Sequence, residues 1–112
     1  MQYVTKVLHG VTVFSMNGAI LGGPEASALN AELHRLVDHG SVKVVIDLSG
    51  VTLMNSSGLG MLIGGYTTLR NAGGDMRLAC VGEKIQTLIT ITKLKPIFPS
   101  YASVDDAVNS LL

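Results

Sequence analysis

Two adjacent serines, Ser56 and Ser57, are the residues whose type and position most clearly allow chemistry. They lie between Asn55 and Gly58, where a strand-like stretch and a short loop give way to helical spacing of apolar residues. A serine hydroxyl at a helix start accepts a hydrogen bond from the first turn, which predicts that Ser56 or Ser57 is the N-cap. The unpartnered N–H groups of that turn also favour an anion.

A run of glycines follows the serines inside the predicted helix: Gly58, Gly60, Gly64 and Gly65. Each glycine costs a helix interior about 1 kcal/mol relative to alanine. Capping requires one serine and does not account for this run. The glycines therefore indicate close approach by another backbone or by a partner.

Three other chemistries fit the pattern less well. His34 and His39 are five positions apart on a predicted helix and His9 lies in a turn, so a metal site is not indicated. The glycine spacing differs from G-x-G-x-x-G and no Walker lysine is present, which argues against nucleotide binding. A nucleophile elbow needs glycine two positions before the serine, where Met54 stands. We predict no enzymatic activity and no cofactor.

The composition predicts one domain over residues 1–112, with an aliphatic core. Hydrophobic residues make up 47% of the chain and aromatic residues 4%. Eight basic and eight acidic residues cancel without forming runs, which disfavours nucleic acid and anionic membranes as partners. Cys80 is the single cysteine, and we expect a small core residue on a strand in a reduced, cytoplasmic setting. No secretory leader or membrane span is predicted.

The hydrophobic pattern predicts an initial β-hairpin and then helices alternating with strands. His9-Gly10 is the hairpin turn, and Asn17-Gly18 ends the second strand. The predicted strands are 3–8, 11–16, 42–48, 76–81 and 97–101, and the predicted helices are 24–40, 57–71, 82–94 and 104–112.

This order, ββαβαβαβα, predicts an α/β fold with a mixed, mostly parallel sheet of about five strands and about four helices. The serines then follow the carboxyl end of a central strand. Functional groups of open α/β sheets usually lie beyond those ends. The topology therefore predicts a functional role for the serines beyond capping.

The stretch "VVIDLSGVTLMNSSGLGMLIGGYTTLRNAGG" resembles the signature of STAS domains, and in particular the stand-alone anti-sigma factor antagonists of bacteria. The resemblance extends in length and element order over essentially the whole chain. It implies that Ser56 is phosphorylated by a partner that is both an anti-sigma factor and a GHKL-type serine kinase. The unphosphorylated form would capture that partner and release a sigma factor, which regulates transcription, and a serine phosphatase would reset the switch.

The partner is expected to bind around Ser56. A phosphate would place about two negative charges in a surface patch lined by Met54, Leu59, Met61 and Leu62, and so oppose docking. The predicted partner-binding residues are Met54, Asn55, Ser57, Gly58, Leu59, Gly60, Met61, Leu21, Gly22 and Gly23.

Two positions near Ser56 depart from the family pattern, which has acidic residues where this chain has Asn55 and Leu21. Their loss makes the predicted patch less negative and more apolar. A second hypothesis is a non-switching STAS subunit of a stressosome-like scaffold or a lipid-transport complex. In that case Ser56 serves only as a helix cap.

Overall fold

The computed structural model describes residues 1–93 and 97–112. Across those residues the chain forms five strands and four helices in the predicted order. They are β1 (Gln2–Leu8), β2 (Val11–Ile20), α1 (Pro24–Asp38), β3 (Lys43–Met54), α2 (Ser56–Asn71), β4 (Asp75–Ala79), α3 (Glu83–Ile91), β5 (Ser100–Tyr101) and α4 (Val104–Asn109).

The strands form one mixed sheet in the order β1-β2-β3-β4-β5. β1 and β2 are antiparallel, and the remaining neighbours are parallel, as predicted. One face carries the larger apolar cluster, in which buried residues of α1, α2 and α3 pack on Phe14, Val44 and Ile46. The opposite face carries a smaller cluster, in which α4 packs on Val13 and Val45.

The element ends follow from glycine and proline. His9 (φ 53°) and Gly10 (φ 81°) form the two-residue turn of the β1–β2 hairpin, in agreement with the prediction. Pro24 begins α1, where a missing N–H is tolerated. Gly40 (φ 77°) follows the C-cap of α1, and its amide donates to the carbonyl of Val37.

Two predicted strand ends are wrong. β2 continues through Asn17 and Gly18 to Ile20, and β3 continues past Leu48 to Met54 instead of giving way to a loop. The two strands stay paired through two register shifts, between Ser15 and Asn17 and between Gly18 and Ala19, and at each shift β3 contributes one extra residue. Gly18 and Gly50 lie at these shifts, and the local pattern therefore predicts strand ends where the pairing in fact continues. The serines therefore follow a strand almost directly.

The later boundaries also shift. α3 is shorter than the predicted helix over residues 82–94, whose last residue lies outside the described residues. β5 occupies only the last two positions of the strand predicted over 97–101. Cys80 was expected on a strand, but β4 ends at Ala79 and Cys80 adopts φ 57° with a half-buried thiol. Its Sγ donates weakly to the Ala102 carbonyl at 3.6 Å.

Burial raises the pKa of the Cys80 thiol, and the nearby Asp47 carboxylate raises it further. Replacing Asp47 by Asn removes the second cause. We expect the pKa of Cys80 to fall, the thiolate fraction to rise and alkylation by iodoacetamide at mildly alkaline pH to become several-fold faster. Asp38→Asn, at the exposed end of α1, is the charge-matched control. Equal alkylation rates in both variants and the parent would contradict the proposed effect of Asp47.

Candidate functional site

The cap of α2 is Asn55, so the prediction of a serine cap is wrong. The Oδ1 atom of Asn55 accepts a hydrogen bond of 2.8 Å from the amide of Gly58, and Asn55 itself has extended backbone angles. Asparagine and serine are equally good caps, and the helix begins one residue earlier than its apolar spacing indicates. As a result, neither serine hydroxyl is needed to start the helix.

Ser56 and Ser57 are the first two residues of α2, and both are exposed. Within the described part of the chain, neither hydroxyl takes part in a side-chain hydrogen bond. The first intrahelical bond runs from the Leu59 amide to the Asn55 carbonyl at 3.0 Å. The amides of Ser56 and Ser57 thus precede the helical ladder, and they add to the positive end of the helix dipole.

The end of β2 packs tightly against this first turn. The Ile20 carbonyl accepts from the Asn55 amide at 3.4 Å, and a Cβ atom on Gly58 would overlap that carbonyl. Gly22 has φ 83°, and a Cβ there would come within 3.0 Å of the Ser57 Cβ. Gly22, Ser57 and Gly58, all expected near a partner surface, are therefore brought together by contacts inside the chain.

The apolar side chains expected to line a surface patch are instead in the core. Met54 is 8% exposed, Leu59 2%, Met61 6% and Leu62 0%. β3 ends with the Met54 side chain pointing inward, and one face of α2 turns the other three toward the sheet. They support the serines from the core side and leave little apolar surface beside Ser56.

The exposed apolar side chains at this end of the sheet are Leu21 (45% exposed) and Leu53 (54% exposed). Ile20 pairs with Met54, so the two leucines lie at the same end of neighbouring strands. The sequence pattern predicts a partner contact for Leu21 but not for Leu53, because it predicts a loop over residues 49–55. The β-prone run Val51–Met54 was the available signal.

A groove of about 710 Å³ runs between α1 and α2, beginning at Ser57. Gly65 lies deep in it, where a Cβ would press on the Leu33 side chain, so this glycine is explained by helix packing. Gly60 and Gly64 face the groove with open space around their Cα atoms. Nothing inside the described chain accounts for these two glycines.

Few charges lie next to the two serines, whereas Glu83 and Lys84 lie beside Leu53. The first turn of α2 carries no acidic residue, and Asn55 is neutral. Glu25, in the first turn of α1, is paired with the amino terminus at 2.6 Å. Across residues 1–93 and 97–112, no group of three histidine, cysteine, aspartate or glutamate side chains is arranged to hold a metal ion.

The five-stranded mixed sheet and the four helices, in the order ββαβαβαβα, are those of the STAS fold. The STAS domain family model matches residues 2–107, and this chain belongs to that family. Among the helices that the structure describes, none is long and apolar enough to cross a membrane.

Named relatives are anti-sigma factor antagonists. The chain is 34% identical to the anti-sigma F factor antagonist of Paenibacillus polymyxa over 61% of its own length, and that match spans 56% of the relative. It is 31% identical to the anti-sigma-B factor antagonist of Bacillus subtilis, covering 74% of this chain and 75% of the relative. A solved anti-sigma factor antagonist from Mycobacterium paratuberculosis superposes with a TM-score of 0.81 at 30% identity, covering 98% of this chain and 92% of that one.

Capping by Asn55 predicts a difference between three variants. Asn55→Ala should lower the free energy of unfolding by about 1 kcal/mol, because the Gly58 amide loses its acceptor. Asn55→Asp should equal or exceed the parent, since a carboxylate caps as well and meets the positive helix end. Ser57→Ala should change stability by less than about 0.5 kcal/mol. Urea unfolding measures all three, and a cost for Ser57→Ala as large as that for Asn55→Ala would contradict this capping scheme.

The glycines of α2 predict opposite responses to one methyl group. Gly58→Ala should destabilise the fold by about 1–3 kcal/mol, since the added Cβ overlaps the rigid Ile20 backbone. Gly64→Ala should stabilise it by up to about 1 kcal/mol, because its Cβ enters open space and alanine favours helix. Thermal unfolding of the two variants provides the comparison, with Gly64→Ala as the matched control. A stabilised Gly58→Ala protein would refute the close contact.

Proposed function

We propose that this chain is an anti-sigma factor antagonist whose unphosphorylated form binds an anti-sigma factor with GHKL-type serine kinase activity. Phosphorylation of Ser56 switches that binding off, and a serine phosphatase restores it. The chain thereby regulates transcription through a protein contact and catalyses no reaction itself. The observation that carries the proposal is the exposed Ser56 hydroxyl, free of any capping role, at the start of α2.

The helix start explains how a phosphate on Ser56 is tolerated by the fold. A phosphoserine carries about −1.5 to −2 charges, and it would sit against the positive end of α2 near amides that precede the helical ladder. Asn55 caps without adding a like charge. The modification therefore leaves the domain folded and acts at its surface.

The exposed leucines explain how the same phosphate opposes a partner. Leu21 and Leu53 offer apolar contact at the end of the sheet that leads into Ser56. A partner that docks over this surface would remove water from the phosphate as well as from the leucine side chains. Burying a charge without a compensating partner is costly, so affinity falls.

Gly60 and Gly64 support a partner surface that continues along α2. Each lowers helix stability by about 1 kcal/mol, and neither is required by packing inside the described chain. Their absent side chains leave the groove open beside Ser57. A partner backbone approaching α2 closely would account for both glycines.

A phosphomimetic pair tests the switch. Ser56→Asp places a negative charge at the site, while Asn109→Asp adds the same charge on α4, which packs on the opposite sheet face. We expect Ser56→Asp to weaken binding to the cognate GHKL-type anti-sigma factor at least tenfold by isothermal titration calorimetry, and Asn109→Asp to bind like the parent.

Direct modification provides the second measurement. Incubating the protein with that anti-sigma factor and ATP should add one phosphoryl group at Ser56, located by peptide mass spectrometry, and Ser56→Ala should remain unmodified. If Ser56→Asp binds as tightly as Asn109→Asp and no phosphoryl transfer occurs, the switch is refuted. A permanently docked STAS subunit would then be the better description.

A further inference from the structure

β1 leaves one edge of the sheet open. Within the described residues, β2 is its only partner, and the seven residues Gln2–Leu8 pair with β2 in an unbroken register. Lys6 is the only charged residue of β1, while Val4 and Val7 are 66% and 67% exposed. Natural edge strands are usually protected by bulges, prolines or several charges, and β1 has only one lysine.

The hairpin turn determines which backbone groups of β1 point outward. Leu8 and Val11 flank a two-residue turn, so their backbones are hydrogen-bonded to each other. Bonded and non-bonded pairs alternate along an antiparallel ladder. The N–H and C=O groups of Tyr3, Thr5 and Val7 therefore face away from β2, along the open edge.

We propose that two copies of this chain pair through β1 in antiparallel fashion, with Thr5 on the two-fold axis, to form one continuous ten-stranded sheet. In this register Thr5 pairs with Thr5 of the second copy, and Tyr3 pairs with Val7 in both directions. All three outward residues of each strand then exchange hydrogen bonds. A shift of two residues either way aligns only two of the three within the strand.

The side chains of β1 suit the same register. Tyr3 lies opposite Val7 on one face, and aromatic with β-branched residues are favourable cross-strand pairs. Val4 lies opposite Lys6 on the other face, so no lysine directly faces another lysine. β1 is thus complementary to itself in its hydrogen bonds and in its side chains.

The other edge of the sheet explains why the assembly closes at two copies. β5 comprises only Ser100 and Tyr101, which is too short to pair with most of β1. An interface that joins the same patch on both copies is closed by its two-fold axis and does not propagate. A dimer is therefore the expected product.

The test substitutes Thr5, whose backbone N–H and C=O lie on the open edge of the sheet. Thr5→Pro removes an outward N–H without breaking a bond to β2, and proline is tolerated at edge positions of this kind. Thr5→Lys instead places two ammonium groups directly opposite each other at the dyad. Thr90→Lys, on the exposed side of α3, is the control that makes the same substitution elsewhere.

Sedimentation velocity over a range of protein concentrations gives the outcome. The parent and Thr90→Lys should pass from monomer to dimer as concentration rises, whereas Thr5→Pro and Thr5→Lys should remain monomeric. Circular dichroism checks that both Thr5 variants are folded, and Thr5→Lys retains the test if Thr5→Pro unfolds. A parent that stays monomeric throughout the micromolar range, or a dimer that survives Thr5→Lys, would overturn the proposal.

Discussion

The contact between the end of β2 and the first turn of α2 is the constraint on which the site depends. The Ile20 carbonyl lies where a side chain on Gly58 would have to be, and it also accepts the Asn55 amide. Gly22 then crosses the Ser57 backbone in a left-handed conformation. Because rigid backbone meets rigid backbone here, the orientation of the serines is set by the sheet rather than by a flexible loop.

The glycines of α2 and of the turn after β2 are of two kinds. Gly22, Gly58 and Gly65 permit contacts within the chain, and their cost to local conformation is offset by packing. No close contact within the described chain requires Gly60 or Gly64, yet both lie on the same helix and line the groove beside Ser57. The glycines look alike in the sequence, and only the positions of neighbouring atoms show which of them are explained by packing inside the chain.

The order of elements could be predicted from the sequence because each helix and strand has its own period and its own ends. The predicted β2 and β3 end too early because their pairing continues through register shifts at which β3 has an extra residue, and a local pattern does not show the partner strand. Cys80 was misplaced for a related reason, since its φ of 57° ends β4 within an apolar run.

The residues of the site could be predicted only in part. The helical pattern that follows Ser56 places this serine at a helix start. The pattern does not show that Asn55 is the N-cap, because asparagine and serine are equally suitable caps. Exposure was the larger error. Met61 lines the groove yet is almost entirely buried, and Leu62 is fully buried, whereas Leu53 is exposed on a strand where the pattern predicts a loop. Composition alone does not reveal which apolar residues a surface retains.

The two surfaces proposed for this chain share β2 yet are separated along it. The ladder between β1 and β2 begins at Gln2 and Asn17, and residues Gly18–Ile20 pair with β3 alone. Both register shifts lie in the β2–β3 ladder, before the contact at Ile20, so β3 does not follow β2 in one regular register up to that contact. Pairing through β1 therefore leaves the contact between Ile20 and Gly58 unchanged, so dimer formation and control at Ser56 are expected to act independently in this fold.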